Sequence, residues 1–291
     1  MTELGQHRAP LWAQLSIGLT YLSILALFGS IGESSVPQID PNNTFLIVFL
    51  KIMQVILVAI TFIVPVLLFA VVIRQEKWKF LPLQKMPNIK QLLIALTICI
   101  IALPIVSYTA EWNSNIHFPD SLKNIENWMR IKENAANETI KIFFANNTIS
   151  NMISNLFVVA FMAGLSEEIF FRGFIQRLFI ENKLNHHIAI WLTAILFSAI
   201  HLQFFGFIPR VLLGAVLGYL YFYSGNLWLS IIAHTVNNGF AVVMAYVTGS
   251  IDADPFADKG TETINLVLVI ISVVIVVTQL FFLKRWQKQI E

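Results

Sequence analysis

The chain has 291 residues, 57% hydrophobic and only 12% charged, with a mean hydropathy of +0.72. Soluble domains carry roughly 45–50% apolar and 25% charged residues, so this composition excludes an ordinary water-soluble enzyme and predicts an all-α, polytopic transmembrane helical bundle. A formal net charge of +2 spread along the chain excludes a nucleic-acid partner, and one cysteine, Cys99, inside an apolar run excludes a disulfide framework or CxxC metal site.

Leu11 to Ile31 is long enough to span a bilayer. Its apolar core is long for a signal peptide and no A-x-A site follows, so it reads as an uncleaved anchor. Phe45 to Ile73 is a second span, longer than needed and therefore tilted or bent at Pro65. Arg74, Lys77, Lys79, Lys85 and Lys90 crowd the next loop, and Gln91 to Tyr108 closes a three-span region, 1–110. The polar segment 111–151 has an apolar subset at Ile125, Trp128, Met129 and Ile131 and reads as external, with a short surface helix.

A core at 152–248 follows, with spans Met152 to Ile180, Ile188 to Leu202, Ile208 to Tyr223 and Leu227 to Val247. Segment 249–291 adds an external acidic loop, with Asp252, Asp254 and Asp258, and a last span from Ile264 to Leu283. Eight spans with both termini in the cytoplasm put the basic loops inside, as the positive-inside rule requires, and the cell membrane is the expected location.

Three of these spans carry polar groups that insertion disfavours by about 2.5–3.5 kcal/mol per charge, so the groups need a reason to be there. The first holds Glu167, Glu168 and Arg172; the second ends in Phe197 and His201; the third holds His234 and Asn238. Glu167 lies 13 residues from the inner end of its span and His201 13 residues from the inner end of its own, about 20 Å deep, and His234 lies about 12 Å deep. The three can therefore share one layer, an active site inside the membrane. Each motif alone reads more readily as interhelical packing, but three at matched depth read as a site. Phe197 and His201, His234 and Asn238, and Glu168 and Arg172 are each i,i+4 pairs. Arg172 can thus neutralise Glu168 and leave Glu167, about 100° round the helix, free. A carboxylate, two imidazoles and an amide in a dry cavity can activate water and stabilise an oxyanion. Lys51, Gln54 and Arg210 lie near span ends and read as snorkelling; His186 and His187 read as a solvated loop, and Trp12, Trp191 and Trp228 as interfacial anchors.

These residues resemble the CPBP family of intramembrane proteases, the CAAX prenyl endopeptidase and bacteriocin-processing family, whose pattern is EExxxR, then FxxxH, then HxxxN. Here the motifs are Glu167 to Arg172, Phe197 to His201 and His234 to Asn238, in that order on separate spans. The resemblance implies an endopeptidase acting on a membrane-associated peptide or protein in contact with lipid. It implies that Glu167, as general base, activates the hydrolytic water together with His201, that His234 and Asn238 stabilise the oxyanion, and that Glu168, Arg172 and Phe197 give support. Metal dependence stays open: the reading leans to a metal-free glutamate mechanism, but Glu167, His201 and His234 are the ligands if zinc is bound. Substrate identity and oligomeric state are not legible. The competing functions are a proton- or ion-coupled transporter, which would favour an internal repeat that is not found, and a catalytically silent immunity or scaffold protein.

The topology has a direct check. In a Cys99→Ala background, cysteines placed between Arg74 and Lys90 are expected to label only from inside, and cysteines between Asp252 and Asp258 only from outside; labelling of both from one side contradicts the eight-span order.

Overall fold

The computed structural model describes residues 43–73, 81–83, 85–250 and 262–290, with positions 13, 14, 17, 18 and 21. Apart from those isolated positions, the expected first span lies outside the described residues, as do residues 74–80 and 84 of the basic loop and the acidic loop 252–258. The described residues are helical, without a strand. We number the helices α1 (Thr44–Val71), α2 (Ile89–Ser114), α3 (Lys123–Phe143), α4 (Ile149–Glu181), α5 (His186–Ala199), α6 (Phe207–Ser224), α7 (Leu227–Thr248) and α8 (Glu262–Ile290).

Six helices are long and apolar enough to cross a membrane, namely α1, α2, α4, α6, α7 and α8, while α5 is a shorter apolar helix. The count of eight is therefore six full spans, one short helix and a segment outside the described residues. With Phe49, Ile52, Leu57, Ile60, Val274 and Phe282 exposed on α1 and α8, the outer surface suits hydrocarbon. The protein is an integral membrane protein.

Asparagine starts four of these eight helices. The side chains of Asn43, Asn88, Asn185 and Asn226 accept hydrogen bonds from first-turn N–H groups, and Asn88 forms a full capping box with Gln91. In α1 the backbone widens into π turns at Ala59–Ile63 and Phe69–Ile73, on either side of Pro65, which supplies no N–H. Gly225 ends α6 in the left-handed conformation (φ 63°), so α7 folds straight back beside α6. Helix α2 runs to Ser114, past the expected boundary near Tyr108, because its polar last turn lies beyond the need for an apolar surface.

Two apolar clusters place the site. Phe62, Phe69, Phe170, Phe171, Phe174 and Phe197 fill the space between α1, α4 and α5, and Ala95, Ile98, Leu217, Leu229, Ala233 and Val276 join α2 to α6, α7 and α8. Helices α4 and α7 meet between these clusters. There the approach is backbone to backbone: a Cβ on Gly164 would stand 2.8 Å from Thr235 Oγ1, 3.1 Å from its N and 3.3 Å from its Cα. The same close approach recurs at Gly214 and Gly218 of α6, which face Ala194 and Ile190 of α5, a small-xxx-small contact in sequence and in space.

The surface helix is longer than expected, 21 residues, and its start is pinned by Glu126. That carboxylate, 1% exposed, accepts from Arg130 Nε and Nη2 at 2.9 and 2.8 Å, from Lys123 at 3.2 Å and from the Phe118 N–H at 3.4 Å. The Arg130 and Lys123 contacts hold its pKa down at about 2, below the usual 4.5. A depressed carboxylate pKa gives stability that is present above the unfolded value and is lost as pH falls through the folded one. The difference in thermal stability between wild type and Glu126→Gln in detergent is expected to hold above pH 5 and to shrink between pH 4.5 and 2, the window set by the two values. A difference independent of pH over that window contradicts the assignment.

Candidate active site

Glu167 and Glu168 sit side by side on α4 and differ in exposure. Glu168 is fully buried, whereas Glu167 is 13% exposed, so only Glu167 faces a space that solvent or substrate can reach. Glu168 Oε1 takes two donors, Arg172 Nη1 and, at 2.8 Å, His234 Nδ1. The other end of the Arg172 guanidinium donates to the Gly214 carbonyl of α6 at 2.8 Å, and its centre lies 4.8 Å over the Phe197 ring. One ion pair thereby ties together α4, α5, α6 and α7.

Phe197 is the wall of the site. It is 2% exposed and meets Phe171, His201 and His234 edge to face at ring distances of 5.2, 5.1 and 5.7 Å. Helix α5 stops at Ala199, so His201 stands in the following turn rather than in the helix, and its Nδ1 lies 2.7 Å from the Phe197 carbonyl oxygen. A carbonyl only accepts, so Nδ1 carries the hydrogen and Nε2 of the neutral ring presents its lone pair. His234, whose Nδ1 faces the Glu168 carboxylate, is oriented in the same sense.

Both Nε2 atoms point at one carboxylate oxygen. His201 Nε2 stands 4.0 Å and His234 Nε2 3.8 Å from Glu167 Oε2, beyond hydrogen-bond reach and suited to one intervening water. The structure thus brings together Glu167, Glu168, Arg172, Phe197, His201 and His234. Asn238 lies one turn farther along α7 than His234, and its Nδ2 donates to the Val159 carbonyl at 3.3 Å, eight residues before Glu167 on α4.

The zinc alternative asks for tetrahedral ligands. With zinc bonds of about 2.0–2.2 Å, neighbouring ligand atoms would stand about 3.3–3.5 Å apart. The separations of 3.8 and 4.0 Å are wider than that, and among the described residues no group of three His, Cys, Asp or Glu side chains is gathered as metal ligands. As arranged, the three residues do not fit tetrahedral zinc.

Several polar residues read as peripheral lie inside the bundle. Lys51 does not snorkel: it is 4% exposed and donates to Asn151 Oδ1 and Ser154 Oγ on α4 at 2.6 and 2.7 Å. His186 and His187 are the first residues of α5 and not loop residues; His186 stacks on Phe222, while His187 is exposed, as expected, with its Nδ1 2.7 Å from the Tyr219 hydroxyl. Arg210 donates to the side chain of Gln203 at 2.8 Å, and its charge acts on both Glu167 and His201. Gln176, fully buried, donates to the Gly218 carbonyl at 3.0 Å. Its place one turn beyond Arg172, opposite a small-xxx-small pair, was the available sequence signal.

Residues 149–240 match the family described as type II CAAX prenyl endopeptidase Rce1-like. The chain is also similar to YpbD of Bacillus subtilis (strain 168), described as an uncharacterized protein, at 28% identity over 100 residues, which make up 33% of this chain and 46% of that one. The aligned stretch thus spans about half the length of that relative. No solved structure matches.

The α4–α7 contact that brings Glu168 to His234 can be tested without substrate. Gly164→Ala forces a methyl group against Thr235 backbone and is expected to cost about 1–3 kcal/mol of stability, read as a lower unfolding midpoint in detergent. Gly239→Ala, where a Cβ meets only Leu156 and Ala160 at 3.6 and 3.8 Å, is expected to be near neutral.

Proposed function

We propose, from the match of residues 149–240 to the family described as type II CAAX prenyl endopeptidase Rce1-like, that this chain is a CPBP-family intramembrane endopeptidase that hydrolyses a peptide bond of a membrane-associated substrate with water activated by Glu167. The observation that supports this reading most directly is the convergence of the two Nε2 atoms on the space in front of Glu167 Oε2, at 4.0 and 3.8 Å.

Each residue has a chemical task in this reading. Water in that space gives one proton to Glu167 and a hydrogen bond to His201 Nε2, while its oxygen attacks the scissile carbonyl carbon. His234, held through Nδ1 by Glu168, can carry a second proton on Nε2 and donate it as a hydrogen bond to the developing oxyanion. Asn238, whose bond to Val159 is long at 3.3 Å, serves as a second donor once that bond is exchanged. Glu167 then passes its proton to the leaving nitrogen, so the products are a carboxylic acid and an amine and the water is consumed. Arg172 holds Glu168 in place, and Phe197 excludes other water from the imidazole edges. No step calls for a metal.

The two glutamates are expected to fail differently. In membranes assayed with a chelator present, Glu167→Gln should lower cleavage by about 10²-fold or more and leave the unfolding midpoint unchanged, because the amide keeps shape but accepts no proton. Glu168→Gln should leave Arg172 as an unmatched buried charge, with a loss of about 3–5 kcal/mol in stability and activity falling with it. Released peptides are compared by mass spectrometry across wild type and both variants. An active Glu167→Gln beside a well-folded, inert Glu168→Gln would move the base to Glu168, and identical peptides from all three would overturn the protease reading.

A further inference from the structure

The turn that carries His201 is held in place from outside the matched residues. After α5 ends, the His201 and Leu202 N–H groups donate back to the Ser198 and Ala199 carbonyls at 3.3 and 3.2 Å. Leu202 is left-handed, with φ 53°. A leucine adopts that conformation only where its surroundings over-determine it. Within the matched residues, one side-chain clamp on the return to α6 is Ser198 Oγ, which donates to the Phe207 carbonyl at 2.8 Å.

Other clamps come from α2 and α3. Asn113, at the end of α2, donates to the Phe204 carbonyl at 3.0 Å and accepts the Ile208 N–H at 2.7 Å, so it caps the start of α6 from another helix. From α3, Glu133 Oε2 accepts the Phe205 N–H at 3.1 Å, Trp128 packs on Phe204 at 5.2 Å between rings, and Arg130 lies 4.2 Å over the Phe205 ring. Helix α3 therefore grips the segment that joins His201 to Arg210. The Arg210 guanidinium is held by the side chain and carbonyl of Gln203 in the same segment.

We propose that Glu133 is a positioning residue of the site: by holding the Phe205 N–H, it fixes the turn from which His201 reaches Glu167. The external helix is then a working part of the site and not only a surface element. Glu133 touches neither substrate nor the reacting atoms and acts through the turn.

The test uses the full chain in detergent and has an arm that needs no substrate. Hydrogen exchange is followed over peptides covering 200–208 in wild type, Glu133→Ala, Glu133→Gln and Glu138→Ala. Loss of a bond to a charged acceptor should raise exchange of the turn roughly ten- to hundredfold in Glu133→Ala. Glu133→Gln, whose amide oxygen still accepts, should stay within about threefold of wild type, and Glu138→Ala, on the exposed side of α3, should match it. Carbethoxylation of His201, read by mass spectrometry, should accelerate in step with exchange. Unchanged exchange in Glu133→Ala, or an equal rise across α4 and α7, overturns the proposal.

The second arm rests on the protease reading. With a quenched fluorescent peptide anchored in phosphatidylcholine vesicles, Glu133→Ala should lower kcat about ten- to hundredfold at a KM within about twofold, the mark of a displaced catalytic group. A loosened turn with unchanged kcat overturns the positioning role. Failure of wild type to cleave what Glu167→Gln also leaves intact counts against the protease reading alone, because the exchange arm is read without cleavage.

Discussion

One carboxylate oxygen, Glu168 Oε1, holds the site together. It takes a hydrogen bond from Arg172 within its own helix and one from His234 across the α4–α7 contact. A buried ion pair adds little net stability by itself, but removal of either partner leaves a charge that the apolar surroundings cannot solvate. The remaining geometry follows from that constraint. Arg172 is drawn to the Gly214 carbonyl and the Phe197 face, which sets α5 and α6, and His234 is turned so that its free nitrogen looks at Glu167. Two adjacent glutamates thus have opposite surroundings, Glu168 buried between Arg172 and His234 and Glu167 partly exposed.

Close helix contacts make the arrangement possible. Gly214, where a Cβ would stand 3.1 Å from Ala194 and 3.3 Å from Phe197, lets α6 close on α5 beside Arg172, and Gly164 lets Thr235 lie against the α4 backbone where Glu168 meets His234 at 2.8 Å. In lipid there is little hydrophobic gain from bringing helices together, so small residues and interhelical hydrogen bonds supply the association instead. The aromatic residues Phe62, Phe170, Phe171 and Phe197 then fill what remains and keep the imidazoles in an apolar setting.

The all-helical membrane architecture was legible because apolar runs of bilayer length leave little choice of structure, and the site was legible because charged groups inside such runs are rare. The Glu168–Arg172 pair followed from their spacing alone. What spacing could not show was the partner of His234: i,i+4 logic sees one helix at a time, and the bond to Glu168 crosses 66 positions of sequence. Lys51 was misread for a related reason. Its distance from a helix end suggests an interfacial head group, yet Asn151 and Ser154 on α4 offer oxygen acceptors at the same level. The extent of α3 was hidden because its residues alternate between packing on the loop after His201 and facing outward, a pattern that a polar segment shows only weakly.

Helix α5 has only 14 residues, about 21 Å of rise, against a hydrocarbon core of about 30 Å. A helix that short ends inside the bilayer, and the polar turn after it cannot be left facing lipid tails. Here protein covers it: Asn113 of α2 and Glu133 of α3 take up the backbone groups of Phe204, Phe205 and Ile208. The shortness of α5 is thus made good by two helices far from it in sequence, which supply the polar partners that lipid could not.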